Sequence, residues 1–176
     1  MRLARPALVL LLGAGLAGCL GQTTSARPPG KPFPTPTPEA VFVKDPCGLL
    51  TRPEVEQAVG SAMAEAQRSS HPGNGHNCLW APAAPGGWIV GLDATTPSTM
   101  AAQGLKGTPA SLFDAQRTAQ SQAIAGLGDR AAWEPSASRL MILRGQLLLQ
   151  LVFLQRGARF DAAKAEALGR IALSRA

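Results

Sequence analysis

The chain predicts an α+β domain in which a single antiparallel sheet packs with helices in the order α-β-β-α-β-β-β-α, closed by one disulfide. Three observations carry that expectation. Two pairs of strand-like runs are separated by turn sequences, at residues 82–87 and at Arg144-Gly145-Gln146. Stretches with helix caps lie before, between and after those pairs. The run Leu147-Leu148-Leu149-Gln150-Leu151-Val152-Phe153-Leu154 does not alternate, as expected of a central strand covered on both faces or lining an apolar cavity.

In chain order, residues 1–18 read as an export leader. Arg2 and Arg5 precede an apolar run over 7–16 that is too short to span a bilayer. Leu16-Ala17-Gly18-Cys19 resembles a bacterial lipobox, with cleavage before Cys19 and a diacylglyceryl group on its thiol. The chain is therefore expected to be lipid-anchored through Cys19 on the extracytoplasmic face of a cell membrane, or on the outer membrane of a two-membrane cell. Residues 19–44 form a linker in which Pro32, Pro34, Pro36 and Pro38 alternate with other residues. Prolines remove donors and favour extended backbone, so this stalk reaches up to ~3.1 Å per residue. The folded domain is expected over 45–176.

That domain opens with a helix over 53–59. Thr51 caps it, Pro53 sits in its first turn, Glu54 stands at the capping-box position and Gly60 stops it; Val55, Ala58 and Val59 form its buried stripe. After a polar loop over 69–75, strands at 77–80 and 88–95 form a hairpin. A helical region over 98–123, broken near 104–109, places Leu112, Ala115, Ala119 and Gln122 on one face. Gly126-Leu127-Gly128-Asp129 turns the chain into a strand at 130–133, and strands at 139–143 and 147–154 make the second hairpin. Asp161 caps a last helix to about residue 174, with Ala165, Leu168, Ile171 and Ala172 inward.

Composition narrows the function classes. Seventeen basic and eleven acidic residues give +6; losing Arg2 and Arg5 with an acid-free leader lowers the mature charge to +4. The basic residues are scattered rather than striped with aromatics, which speaks against nucleic acid and for mild attraction to anionic headgroups or wall polymers. With Cys19 taken by the anchor, Cys47 and Cys78 remain as an even pair in an oxidising compartment, and a Cys47–Cys78 disulfide is expected.

Asp45-Pro46-Cys47-Gly48-Leu49-Leu50-Thr51, then Cys78-Leu79-Trp80, Gly126-Leu127-Gly128-Asp129-Arg130-Ala131, the late apolar strand and the alanine-rich last helix come in the order found in an actinobacterial family of small secreted lipoproteins of unknown function. The chain resembles that family over most of its length after the linker, and is distantly similar to extracytoplasmic sensor domains of mycobacterial receptor kinases. The resemblance implies an α+β domain with the two cysteines bridged and a bias toward ligand sensing. It brings no catalytic residues.

The residues themselves point the same way. No Gly-x-Ser-x-Gly elbow is present, and Asp93, Asp129 and Glu134 stand where capping and turn chemistry account for them. His71, His76 and Cys78 offer zinc or copper too few ligands, the more so if the sulfur is bridged. No cofactor and no catalytic group is expected. The leading expectation is a non-catalytic envelope module contacting another protein or a wall polymer. The second is a small apolar ligand- or lipid-binding domain with a cavity bounded by Leu149, Leu151 or Phe153 together with Trp80 or Trp88, under alanine-rich helices that bring little volume. A third is metal binding through the His71/His76 loop.

Overall fold

The computed structural model describes residues 45–68 and 76–176. The residues expected to form a leader (1–18), Cys19, the expected linker over 19–44 and His71 lie outside the described residues. The described residues open with a 3-10 turn at Pro46–Gly48, whose Cys47 is bridged to Cys78. Then follow α1 (Arg52–Val59), β1 (Gln67–Arg68), β2 (His76–Trp80), β3 (Ile89–Thr95), α2 (Pro97–Ala102), α3 (Pro109–Gln116), β4 (Gln122–Ile124), β5 (Arg130–Glu134), β6 (Arg139–Arg144), β7 (Leu147–Leu154) and α4 (Ala162–Arg175). The seven strands among the described residues form one antiparallel sheet in the order β1-β2-β3-β7-β6-β5-β4. The domain is α+β, as expected.

The apolar run β7 is central because it pairs with both hairpin partners: Leu92 opposite Leu151 on β3, Leu140 opposite Leu151 on β6. Its side chains alternate between faces. Leu147, Leu149, Leu151 and Phe153 join Leu92, Val90, Leu140, Ile142 and Trp80 in a first-face core covered by α1 and α4. On the second face, Leu148 packs with Met141, Leu143 and Ala132 beneath Phe113 of α3.

Local chemistry explains the helices. α2 and α3 share one start: Thr96-Pro97 with Thr99, and Thr108-Pro109 with Ser111, each threonine and N3 hydroxyl satisfying the other's backbone N–H. The helical region expected over 98–123 is broken where expected, between Ala102 and Pro109, but it ends at Gln116; Ala119 and Gln122 are not on a helical face. Thr118 and Ser121 instead turn the chain, since both hydroxyls donate to the buried carboxylate of Glu134, and Gln122 goes on into the edge strand β4. Burial pushes the Glu134 carboxyl up, but the hydroxyls of Ser121 and Thr118 and the charge of Arg139 outweigh it and hold it below the usual range. The two-residue β1 is the other strand absent from the expected order.

The Gly126–Asp129 turn locks onto the second hairpin. Gly128 is left-handed (φ +64°), with Leu143 O against the space a Cβ would take, while Asp129 N donates to Leu143 O at 2.8 Å and Asp129 Oδ2 accepts from Gly145 N at 2.6 Å.

Candidate functional site

The residues expected to bound a cavity are packed instead. Trp80, Leu149 and Leu151 are wholly buried, and Phe153 is 1% exposed. Phe153 stacks on Phe160 with ring centroids 3.9 Å apart, and Phe160 meets Trp88 edge-on at 5.0 Å. Trp133 lies 6.5 Å from Phe153 on the same face. Residues Phe160 and Leu168 thus supply the cover that small alanines do not. Trp80 does not face Trp88 across the hairpin: its partner on β3 is Val90, and Trp88 precedes the strand. The Trp80 indole N–H has no partner among the described residues, and its burial rules it out as an open binding platform.

Cys47 and Cys78 are joined, with Cα atoms 5.1 Å apart. The bridge fastens the 3-10 turn over the first face and withdraws the Cys78 sulfur from any ligand set with His71 and His76. Among the described residues no group of three or more His, Cys, Asp or Glu side chains could hold a metal ion.

Two open features do arise. The first is a half-open groove of about 310 Å³ between α1 and α4, lined by Ala58, Ala167, Leu168 and Ile171 with Glu54, Gln57 and Lys164. It exists because facing positions on the two helices are alanines. At its end, Glu54 receives the Arg175 guanidinium at 2.6 and 2.8 Å and the Thr51 N–H and hydroxyl at 2.8 Å each. The Arg175 hydrogen bonds, opposed by burial and helped by Thr51, hold the Glu54 carboxyl down to about 2.

The second is a corner of the second face. α3 is fastened over the β5-β6-β7 side: Arg130 on β5 pairs with Asp114 and lies over the Phe113 ring at 4.6 Å. The hydrogen bonds and charge of Arg130 hold the Asp114 carboxyl below its usual range. Toward β2 and the far end of β7 the burial fails. Leu79 is 39%, Ile89 37% and Leu154 53% exposed, and these are three of the four large apolar side chains exposed among the described residues. They are adjacent: Ile89 pairs with Leu154, and Leu79 pairs with Gly91, which itself pairs with half-buried Val152. Nothing lies within 4 Å of the space a Cβ on Gly91 would fill. The unalternated strand therefore has one end of one face open, which neither expected arrangement, cover on both faces or one face lining an apolar cavity, provides. Alternation alone flags no such corner, because its exposure depends on where α2 and α3 land.

Among the described residues no helix is long and apolar enough to cross a membrane. Comparison of the chain with protein-family models, curated proteins and solved structures returns no match.

Proposed function

We propose that this chain is a membrane-anchored lipoprotein whose disulfide-bridged α+β domain is a non-catalytic binding or interaction module of the bacterial cell envelope, facing outward from the membrane. The observation that carries the reading is Leu16-Ala17-Gly18-Cys19 at the end of a short apolar run that follows two arginines. The Cys47–Cys78 bridge supports it, since such bridges persist in oxidising compartments. The resemblance to small secreted actinobacterial lipoproteins points the same way. The solid packing of Leu149, Leu151 and Phe153 favours surface contact with a protein or wall polymer over an enclosed ligand.

A second reading, a small apolar ligand, is favoured by one feature, the α1–α4 groove, whose 310 Å³ is near the low end of ligand sites at ~300 Å³. Metabolic labelling with radioactive palmitate tests the main reading. Label is expected on the wild-type chain and absent from Cys19→Ala; label on both, or on neither, overturns the anchor.

A further inference from the structure

We infer that the uncovered corner of the sheet is a second, peripheral membrane contact, by which the domain settles on the anionic headgroups of the bilayer that anchors it. The inference rests on the lipid-anchor reading. Leu79, Ile89, Val152 and Leu154 lie on one face, Ile89 directly beside Leu154 and Leu79 across Gly91 from half-buried Val152. Beside it the chain leaves β7 through an exposed turn carrying Arg156 and Arg159. Neither arginine has an ion pair among the described residues; Arg52, Arg68, Arg130, Arg170 and Arg175 are paired with carboxylates, while Arg117 lies over the Phe113 ring, Arg139 donates to Gln116 and Arg144 donates to the backbone carbonyls of Leu173 and Ala176. The nearest acid along the chain, Asp161, caps α4 by accepting from Lys164 N at 3.0 Å. The turn is held against the β2–β3 hairpin by Gln155 Nε2, which donates to Gly86 O at 2.7 Å, so cations and aliphatic side chains share one edge of the domain.

Exposed aliphatic groups bordered by unpaired arginines match the chemistry of a bilayer interface, where apolar side chains enter the headgroup boundary and cations meet anionic lipid. A protein partner fits less well. A standard interface takes about 20–30 residues on each side, and this corner offers a small fraction of that. A weak contact is sufficient for a tethered domain, because the anchor holds the bilayer at high effective concentration.

The test uses the full-length lipidated chain purified from membranes and reconstituted into vesicles with brominated acyl chains. One set is phosphatidylcholine alone and the other contains phosphatidylglycerol. Because Trp88 packs on Phe160 on the opposite face, the reporter is Ile89→Trp in a Trp88→Phe background, which puts an indole in the corner itself, and buried Trp80 and Trp133 supply the background. Tryptophan quenching is expected to be at least about twofold greater on the anionic vesicles and to weaken at high salt, where screening shortens to ~3 Å at 1 M. The double substitution Arg156→Glu/Arg159→Glu should abolish that difference, as should Leu154→Asp, with unfolding midpoints unchanged. Trp88→Phe without the Ile89→Trp reporter should show little quenching on either vesicle type. Equal quenching on both vesicle types, or quenching indifferent to both surface variants, overturns the inference, as does self-association abolished by Leu154→Asp without quenching. Failure of the anchor itself looks different: the chain would not float with phosphatidylcholine vesicles at all.

Discussion

Neutralising Glu54 should cost stability in a pH-dependent way, because its carboxylate ties the start of α1 to the end of α4 across 121 residues. Four donors converge on it: both Arg175 nitrogens, the Thr51 N–H and the Thr51 hydroxyl. They lower its pKa from 4.5 to about 2. That depression is worth at most about 3.4 kcal/mol at neutral pH, at 1.36 kcal/mol per unit. Arg175 is 37% exposed, so solvent screening reduces the expected figure to about 1–2 kcal/mol. A carboxyl depressed in the folded state stabilises above its unfolded pKa and loses that contribution as pH falls toward the folded value. Arginine stays charged throughout and adds no slope. Glu54→Gln should therefore be about 1–2 kcal/mol less stable than wild type at neutral pH, and the gap should shrink by about half or more near pH 2. Urea unfolding followed by far-UV circular dichroism at both pH values measures it. A gap unchanged between the two, or no gap at neutral pH, would refute the reasoning.

Other substitutions probe the core and its fastenings. Cys47→Ser/Cys78→Ser opens a loop with a sequence separation of 31 and should lower stability by about 3.7 kcal/mol in the chain-entropy picture, read as a lower urea midpoint. A loss below about 1 kcal/mol would mean the bridge is peripheral to folding. Gly128→Ala puts a Cβ 2.5 Å from Leu143 O at φ +64°, so a loss of about 2–4 kcal/mol is expected in thermal or urea unfolding. Leu149→Ala, at a wholly buried site, should cost about 2–5 kcal/mol by leaving a void; a cost well under 2 kcal/mol would indicate space already beside that strand.

Much of the fold was legible because its largest elements carry their own signals. Leu147–Leu154 could be placed at the centre of the sheet from its lack of alternation, and Asp161 marked the start of α4 by its cap. Short edge strands were not legible: Gln67–Arg68 and Gln122–Ile124 are too brief to show a period, and they are ordered by pairing with β2 and β5. The break near 104–109 is legible from Gly104, Gly107 and Pro109, but the end of the second helix is not, because Ala115, Ala119 and Gln122 fit a 3.6-residue stripe. Only the fold brings Glu134 beneath Thr118 and Ser121 to turn the chain there. Glu54 could be read as a capping residue, but nothing local announces its Arg175 partner. The candidate site was the least legible part. Trp80, Leu149, Leu151 and Phe153 looked like cavity walls because alanine-rich helices suggest empty space, yet Phe160 fills it by stacking on Phe153. The open corner depends on which strands α3 covers, a long-range outcome that no window of the sequence contains.

The most direct measurement of the central claim is the intact mass of the N-terminal proteolytic peptide of the protein extracted from its own membranes. A chain beginning at Cys19 and carrying a diacylglyceryl group is expected. A chain that retains residues 1–18, or begins at Cys19 with a free thiol, would contradict it.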